Sequence, residues 1–249
     1  MQYMGGKFHI AGQISGLLRQ LRQNEQPYLE PFVGGCNILQ RVPSGTRVAS
    51  DTNAYLITLY KALQAGWQPP TSMNKEEWQA IKDRMDPDDP VTAFAGFGSS
   101  FAGGWFQAYG TQDKRPGRNS CAFNSARTLL ELVPHIADVD FRACDYREHV
   151  PVGALIYCDP PYRGTAGYRA VGRFDHDAFW QTMRDWSVDN TVLVSEYTAP
   201  ADFVPVWQQR KTTGLRGSDG KGKRTIETVF MHESQARVFK VLGEQQDLI

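Results

Sequence analysis

The chain has 249 residues, 41% hydrophobic and 22% charged, the composition of an ordinary globular protein with room for one sizeable core and a small insertion. Its 27 basic and 27 acidic side chains cancel, which argues against a bulk polyanion binder, so charge matters by where it is placed. No apolar run approaches a membrane span, residues 1–12 do not read as a signal peptide, and Cys36, Cys121, Cys144 and Cys158 lack zinc spacing; the expectation is a cytoplasmic protein with reduced, mostly buried thiols, no metal site and no membrane partner.

The chain opens with Tyr3-Met4-Gly5-Gly6-Lys7, a glycine turn between an aromatic and a base. Ile10, Ile14, Leu17, Leu18 and Leu21 then recur at helical spacing. Lys7 is expected near the first turn of that helix, where the dipole disfavours a cation, and a charge so placed suggests a partner. Residues 26–33 read as a short strand running into Gly34-Gly35, with a helix starting within residues 36–42. Glycines between strand and helix let a backbone approach a ligand closely, but the spacing is not G-x-G-x-x-G, so a nicotinamide site is disfavoured. A second strand, residues 47–50, ends at Asp51, where nucleotide-binding sheets place an acid for ribose hydroxyls. Capping the next helix, residues 54–63, is the competing role for that acid.

From residue 68 to about 132 the pattern changes to an inserted subdomain, helical around Trp78, Ile81 and Met85. Phe97, Phe101, Trp105 and Phe106 follow at near-helical spacing and read as a small core. Two basic, glycine-containing stretches stand out: residues 107–127, with Lys114, Arg115, Arg118 and Arg127, and residues 209–226, with Arg210, Lys211, Arg216, Lys221, Lys223 and Arg224. Both are expected as mobile loops, with plain solvated surface as the competing reading. Strands are expected at residues 139–144, ending at Asp145-Tyr146, at 155–158, at 191–195, ending at Glu196-Tyr197, and at 226–231. A glycine-rich crossing, residues 163–173, reads as a lid, and Asp175 as the cap of a helix carrying Phe179, Trp180, Met183 and Trp186.

The apolar run at residues 155–158 stops at Asp159-Pro160-Pro161-Tyr162. Two prolines fix successive φ angles and hold the residues before them extended, so the carbonyls point in set directions. The Asp159 carboxylate and the Pro160 carbonyl are two acceptors, and Tyr162 adds a flat face. Together they suit a planar group bearing an NH2, such as an adenine or cytosine edge. Simple punctuation of a strand-to-loop turn is the bland alternative.

Tyr3-x-Gly5-Gly6-Lys7, then Glu30-Pro31-Phe32-Val33-Gly34-Gly35, then Asp51-x-Asn53, then Asp159-Pro160-Pro161-Tyr162 resembles the Dam-type DNA adenine-N6 methyltransferases, in that family's order and over nearly the whole chain. The resemblance implies an α/β fold: a doubly wound, mostly parallel seven-stranded sheet using S-adenosylmethionine, with one antiparallel strand near the C-terminal end. It divides the chain into a catalytic domain, residues 1–67 and 133–249, and a small, mainly helical DNA-recognition subdomain, residues 68–132. It implies that Tyr3 and Lys7 contact the cofactor, that Glu30, Phe32 and Gly34 belong to the turn around its methionine part, that Asp51 takes the ribose and that Asp145 and Tyr146 line the adenine. Asp159, Pro160, Pro161 and Tyr162 become catalytic, Asp159 also counting among the cofactor residues. Lys114, Arg115, Arg118 and Asn119, with Lys221, Lys223 and Arg224, become contacts to double-stranded DNA, with no obligate protein partner. The compact form is similar to phage or prophage members.

Two departures bear on the structure. Tyr3 stands where the family has tryptophan, and Gly34-Gly35-Cys36-Asn37 stands where many members have Gly-Ala-Gly-Ser, so either Cys36 accepts a glycine's geometry or the turn differs. The short insert leaves the target sequence open. Transfer to cytosine N4 or to RNA, and a non-catalytic nucleic-acid-binding module on the same fold, are the alternatives.

Overall fold

The computed structural model describes residues 1, 3, 5–110, 120–164, 174–216 and 222–236, without the side chains of 211–216 and 222–224. Seven strands form one sheet in the order β3-β2-β1-β4-β5-β7-β6. They are β1 (Tyr28–Glu30), β2 (Arg47–Asp51), β3 (Val139–Ala143), β4 (Leu155–Cys158), β5 (Thr191–Glu196), β6 (Phe203–Arg216) and β7 (Gly222–His232). The pairs β2/β3, β1/β4 and β4/β5 are parallel, while β7 runs antiparallel to both β5 and β6. All four residues of β4 are buried, the mark of a strand covered on both faces. The chain divides into two compact units, Met1–Glu25 with Glu30–Glu148, and Gln26–Leu29 with His149–Ile249.

In the first unit, α1 (Ala11–Leu21) buries Ile14, Leu17 and Leu18. Helix α2 (Ala54–Gln64) stacks Tyr60 on Phe141 of β3, with ring centroids 5.1 Å apart. Asn53 caps α2, its side chain accepting from Leu56 N at 3.4 Å, which leaves Asp51 free of that task. Asn74 and Glu77 form a reciprocal capping box on α3 (Lys75–Arg84). A short α4 (Pro90–Ala93) leads into a π-turn at Phe94–Gly98 and a 3-10 turn at Phe101–Gly103. The Trp78 indole donates to the Ala95 carbonyl and packs on Phe106, closing a local aromatic core. Helix α5 (Cys121–Ile136) runs through residue 132. At the β2 end of the unit the buried Arg47 guanidinium donates to the Val42 and His135 carbonyls and pairs with Asp138.

In the second unit, Asp175 caps α6 (His176–Trp186), accepting from Asp177 N and Ala178 N at 3.1 and 3.0 Å. Arg184 on α6 holds Asp202, just ahead of β6, with two bonds of 2.6 and 3.0 Å. Among the described residues no helix is long and apolar enough to cross a membrane.

Several expectations are corrected. The basic stretch at 209–226 is not simply a loop: β6 reaches Arg216 and β7 begins at Gly222, so Arg210, Lys211, Arg216, Lys223 and Arg224 all lie within strands. Strand β6 is the sheet's last strand and polar along much of its length, and it carries Pro205 at a register shift; edge strands tolerate both, and each weakens the strand signal. Strand β1 stops at Glu30 because Pro31 follows. Residues 36–42 supply only a 3-10 turn at Leu39–Arg41. Of the aromatic stripe read as a small core, Phe97 on the π-turn and Phe106 are buried, but Phe101 on the 3-10 turn is 67% exposed. Strand β3 ends at Ala143, with Tyr146 in a 3-10 turn. Residues 165–173 of the expected lid and 111–119 of the first basic stretch lie outside the described residues.

Candidate active site

In the first unit the opening turn is closed by Gly6 N donating to Tyr3 O at 3.0 Å. Lys7, buried at 6% exposure, precedes the helix: α1 begins only at Ala11, after Ile10 N has bonded Lys7 O. The charge therefore stands ahead of the first turn and not within it. Tyr3 leans on Phe97, with centroids 5.0 Å apart, and on the glycine turn. A Cβ on Gly34 would come within 2.9 Å of Tyr3 Cε1, one on Gly35 within 2.9 Å of Tyr3 Cβ, and one on Gly6 within 2.7 Å of Asn37 Nδ2. No larger residue fits these positions without moving the ring or the amide, so the two glycine turns interlock because both lack side chains.

Cys36 has φ +56 and is fully buried, so it does take a glycine's left-handed geometry. That conformation costs an L-residue about 1–2 kcal/mol. Burial pushes its thiol well above the ordinary cysteine pKa, so it is a neutral packing group and not a nucleophile. The Tyr60 hydroxyl donates to Gly34 O at 2.6 Å and braces the turn from α2.

Asp51 completes it. One carboxylate oxygen accepts from Gly34 N at 3.0 Å and the other from Asn53 N at 2.9 Å. Burial raises its pKa, and the two backbone donors pull the other way. A carboxylate offers about four acceptor positions, so about two remain for other donors. The buried Tyr146 ring lies 5.4 Å from Phe32. Asp145 is taken up by Arg147, whose guanidinium bonds both carboxylate oxygens at 2.7 and 3.1 Å and holds its pKa below the usual range. Glu30, at the end of β1, is buried.

In the second unit Asp159 follows β4 directly and is half-buried, and Pro160 is buried. The Tyr162 hydroxyl donates to Glu227 on β7 at 3.1 Å, and its ring meets Tyr197 edge to face at 4.6 Å. Glu196, at the end of β5, accepts from Arg163 N at 3.3 Å and from Tyr197 N at 2.9 Å. Arg163 in turn pairs with Asp177 on α6. Burial, helped by the charges of Asp159 and Glu227, pushes the Tyr162 phenol well above its ordinary pKa and keeps it a donor. The loop is thus held on its phenol, its ring edge and its backbone.

The structure therefore gathers Tyr3, Gly34 and Asp51 into one turn assembly, sets Phe32 against Tyr146, and anchors Tyr162. Tyr60, Asn37, Phe97, Glu196, Tyr197 and Glu227 take part without having been singled out for these roles. Tyr60 and Phe97 carried only a core signal, and Glu196-Tyr197 only a strand-end signal. Lys114, Arg115, Arg118, Asn119 and Lys221 lie outside the described residues, and Lys223 and Arg224 are described by backbone alone.

Residues 3–84 match the model of the D12 class N6 adenine-specific DNA methyltransferases. No curated protein matches the chain. Among solved structures, SMU.472, a candidate methyltransferase crystallised with SAH, is similar at 11% identity and a TM-score of 0.34; the match covers 91% of this chain and spans 53% of that one. The D12 segment contains Tyr3, Lys7, Glu30, Phe32, Gly34 and Asp51, hence the whole turn assembly except Phe97. The Asp159 loop and its two buried glutamates lie beyond it.

Proposed function

We propose that this chain transfers a methyl group from S-adenosylmethionine to the N6 amino group of an adenine flipped out of double-stranded DNA. One observation carries the reading: Asp159-Pro160-Pro161-Tyr162 closes a fully buried strand as a loop held at phenol and backbone, on a chain whose opening matches the D12 class. In this reading Tyr3, Lys7 and the Glu30–Gly34 region hold the cofactor's amino-acid end, Asp51 its ribose and Tyr146 its adenine. The interlocked glycines hold Tyr3 close against the turn, and Asp51 keeps acceptor capacity after bracing it.

When bound, S-adenosylmethionine supplies an electrophilic methyl group on a sulfonium. The chain's own part is to make a poor nucleophile usable. Adenine N6 has its lone pair delocalised into the ring; bonds from its two hydrogens to the Asp159 carboxylate and the Pro160 carbonyl favour a pyramidal nitrogen with the lone pair free to attack. Nitrogen forms the new N–C bond as the S–C bond breaks, and the extra proton leaves afterwards without a strong base. Extrusion of the base costs a few kcal/mol of lost stacking and pairing, offset in part by stacking on Tyr162. Residues 68–132 serve as the target-recognition region, with Lys114, Arg115, Arg118 and Asn119 on DNA and Lys221, Lys223 and Arg224 on its backbone, in the cytoplasm.

The test is to incubate the protein with duplex DNA and labelled S-adenosylmethionine, then digest to nucleosides. N6-methyladenine is the expected product; N4-methylcytosine, or no methylated base, refutes the proposal. Long-read sequencing of DNA from cells expressing the protein then gives the sequence context.

A further inference from the structure

We propose that Glu227 is a positioning residue: its carboxylate fixes the Tyr162 ring in the orientation in which it stacks on the target base. The inference rests on the adenine methyltransferase reading of the Asp159 loop. Glu227 sits on β7, and Ser195 of β5 pairs with Val229, two residues further along. Side chains two apart share a face, so Glu227 lies on the face of Ser195, whose hydroxyl bonds Tyr157 at 2.7 Å. That face lies against the loop: the Tyr162 hydroxyl reaches it at 3.1 Å.

A glutamate only 4% exposed is costly unless bonded, so a purely packing residue at this position would be apolar. The tyrosine supplies a bond its partner can rely on, because its phenol is held protonated throughout the ordinary pH range. Without that bond the phenol end of the ring loses an anchor that its edge contact with Tyr197 does not supply, and the side chain can swing about χ1. Glu196 does the matching work on the backbone, holding Arg163 N one residue later. Glu227 touches neither substrate nor cofactor in this scheme and acts only through Tyr162.

The experiment uses the full chain with Glu227→Ala, Glu227→Gln, Tyr162→Phe and the double variant Glu227→Ala/Tyr162→Phe. Loss of one such hydrogen bond is expected to lower kcat by about tenfold in each single variant, with KM for S-adenosylmethionine unchanged. Glu227→Gln keeps an acceptor oxygen and recovers most of the loss. The double variant should be no worse than either single one, because both remove the same bond. With 2-aminopurine at the target position, the flipping signal should fall in Glu227→Ala and return in Glu227→Gln. Multiplicative losses in the double variant, or a Tyr162→Phe kcat within twofold of the parent, would overturn the inference; the latter comparison stands even if Glu227→Ala does not fold. A readout needing no turnover separates this inference from the functional reading. NMR scalar couplings of labelled tyrosine should show Tyr162 sampling more than one χ1 rotamer in Glu227→Ala and a single one in Glu227→Gln. If the parent protein methylates no adenine the functional reading falls, and an unchanged χ1 distribution sinks the positioning role independently.

Discussion

Asp51 makes the sharpest prediction, because one carboxylate is asked to brace a turn and to bind a ligand. In Asp51→Ala, Gly34 N and Asn53 N both lose their acceptor. Both residues are partly exposed, so water replaces some of the bonding; at about 1–1.5 kcal/mol for each lost bond the fold loses about 2–3 kcal/mol. For a domain of this size that lowers Tm by roughly 5–10 °C. Affinity for S-adenosylmethionine falls further. Two ribose hydroxyls donating to a charged acceptor contribute about 1.5 kcal/mol or more each, so Kd rises by about 100-fold or more. Asp51→Asn keeps one acceptor oxygen and turns an amide NH2 toward a backbone donor, so it falls between parent and alanine. Thermal unfolding without ligand and calorimetric titration with S-adenosylmethionine read the two effects separately. A loss of Tm with Kd unchanged within threefold would leave the turn-bracing account standing and refute the ribose assignment. An unchanged Tm would refute the bracing account.

Asp159→Ala should reduce methyl transfer by about 10³-fold or more while leaving Tm within a few degrees, since the side chain is half-exposed beyond the end of β4; substantial activity in a radiolabel assay would remove Asp159 from the mechanism. Lys223→Ala with Arg224→Ala should weaken DNA binding and flatten the slope of log K against log salt by roughly two, and an unaltered slope would return this part of β7 to plain surface. Asp138→Ala should cost about 1–2 kcal/mol at neutral pH, a value discounted because Asp138 is 37% exposed although its partner Arg47 is 3% exposed. Burial acts to raise the Asp138 pKa, but the Arg47 guanidinium and the Gly45 N–H outweigh it and hold the carboxyl below its ordinary value. Its stabilisation is therefore complete above the unfolded-state pKa and lost as pH falls through the depressed one, so parent and variant should converge in acid; a constant gap from about pH 7 to about pH 3 would contradict this.

What could be read in advance follows local physics. Strand β4 is bounded as expected because an apolar run stops where an acid and two prolines cannot extend a ladder. The α6 cap at Asp175 and the α2 stripe were likewise set by neighbouring residues. The left-handed Cys36 was only one of two options the family pattern left, a different turn being the other, since nothing in a cysteine announces a positive φ. Strand β6 was hidden: a polar edge strand with a proline obeys no clean alternation, and its basic residues with the following glycines imitate a loop.

Glu227 shows why the anchoring of the loop was out of reach. It stands 65 positions from Tyr162 in the chain, and what joins them is the register of β7 against β5. A slip of one residue in that pairing would turn Glu227 to the other face and bring Ile226 or Thr228 toward the phenol. No local pattern encodes that register, because both faces of β7 are buried along this part, Val229 and Met231 on one and Thr228 and Phe230 on the other, with Ile226 48% exposed. Glu227 is buried within the sheet, and the phenol of Tyr162 gives that carboxylate a donor. Replacing Glu227 by an apolar residue of similar size should therefore leave the strand register intact, or even stabilise it, while loosening the one ring the proposed chemistry needs fixed.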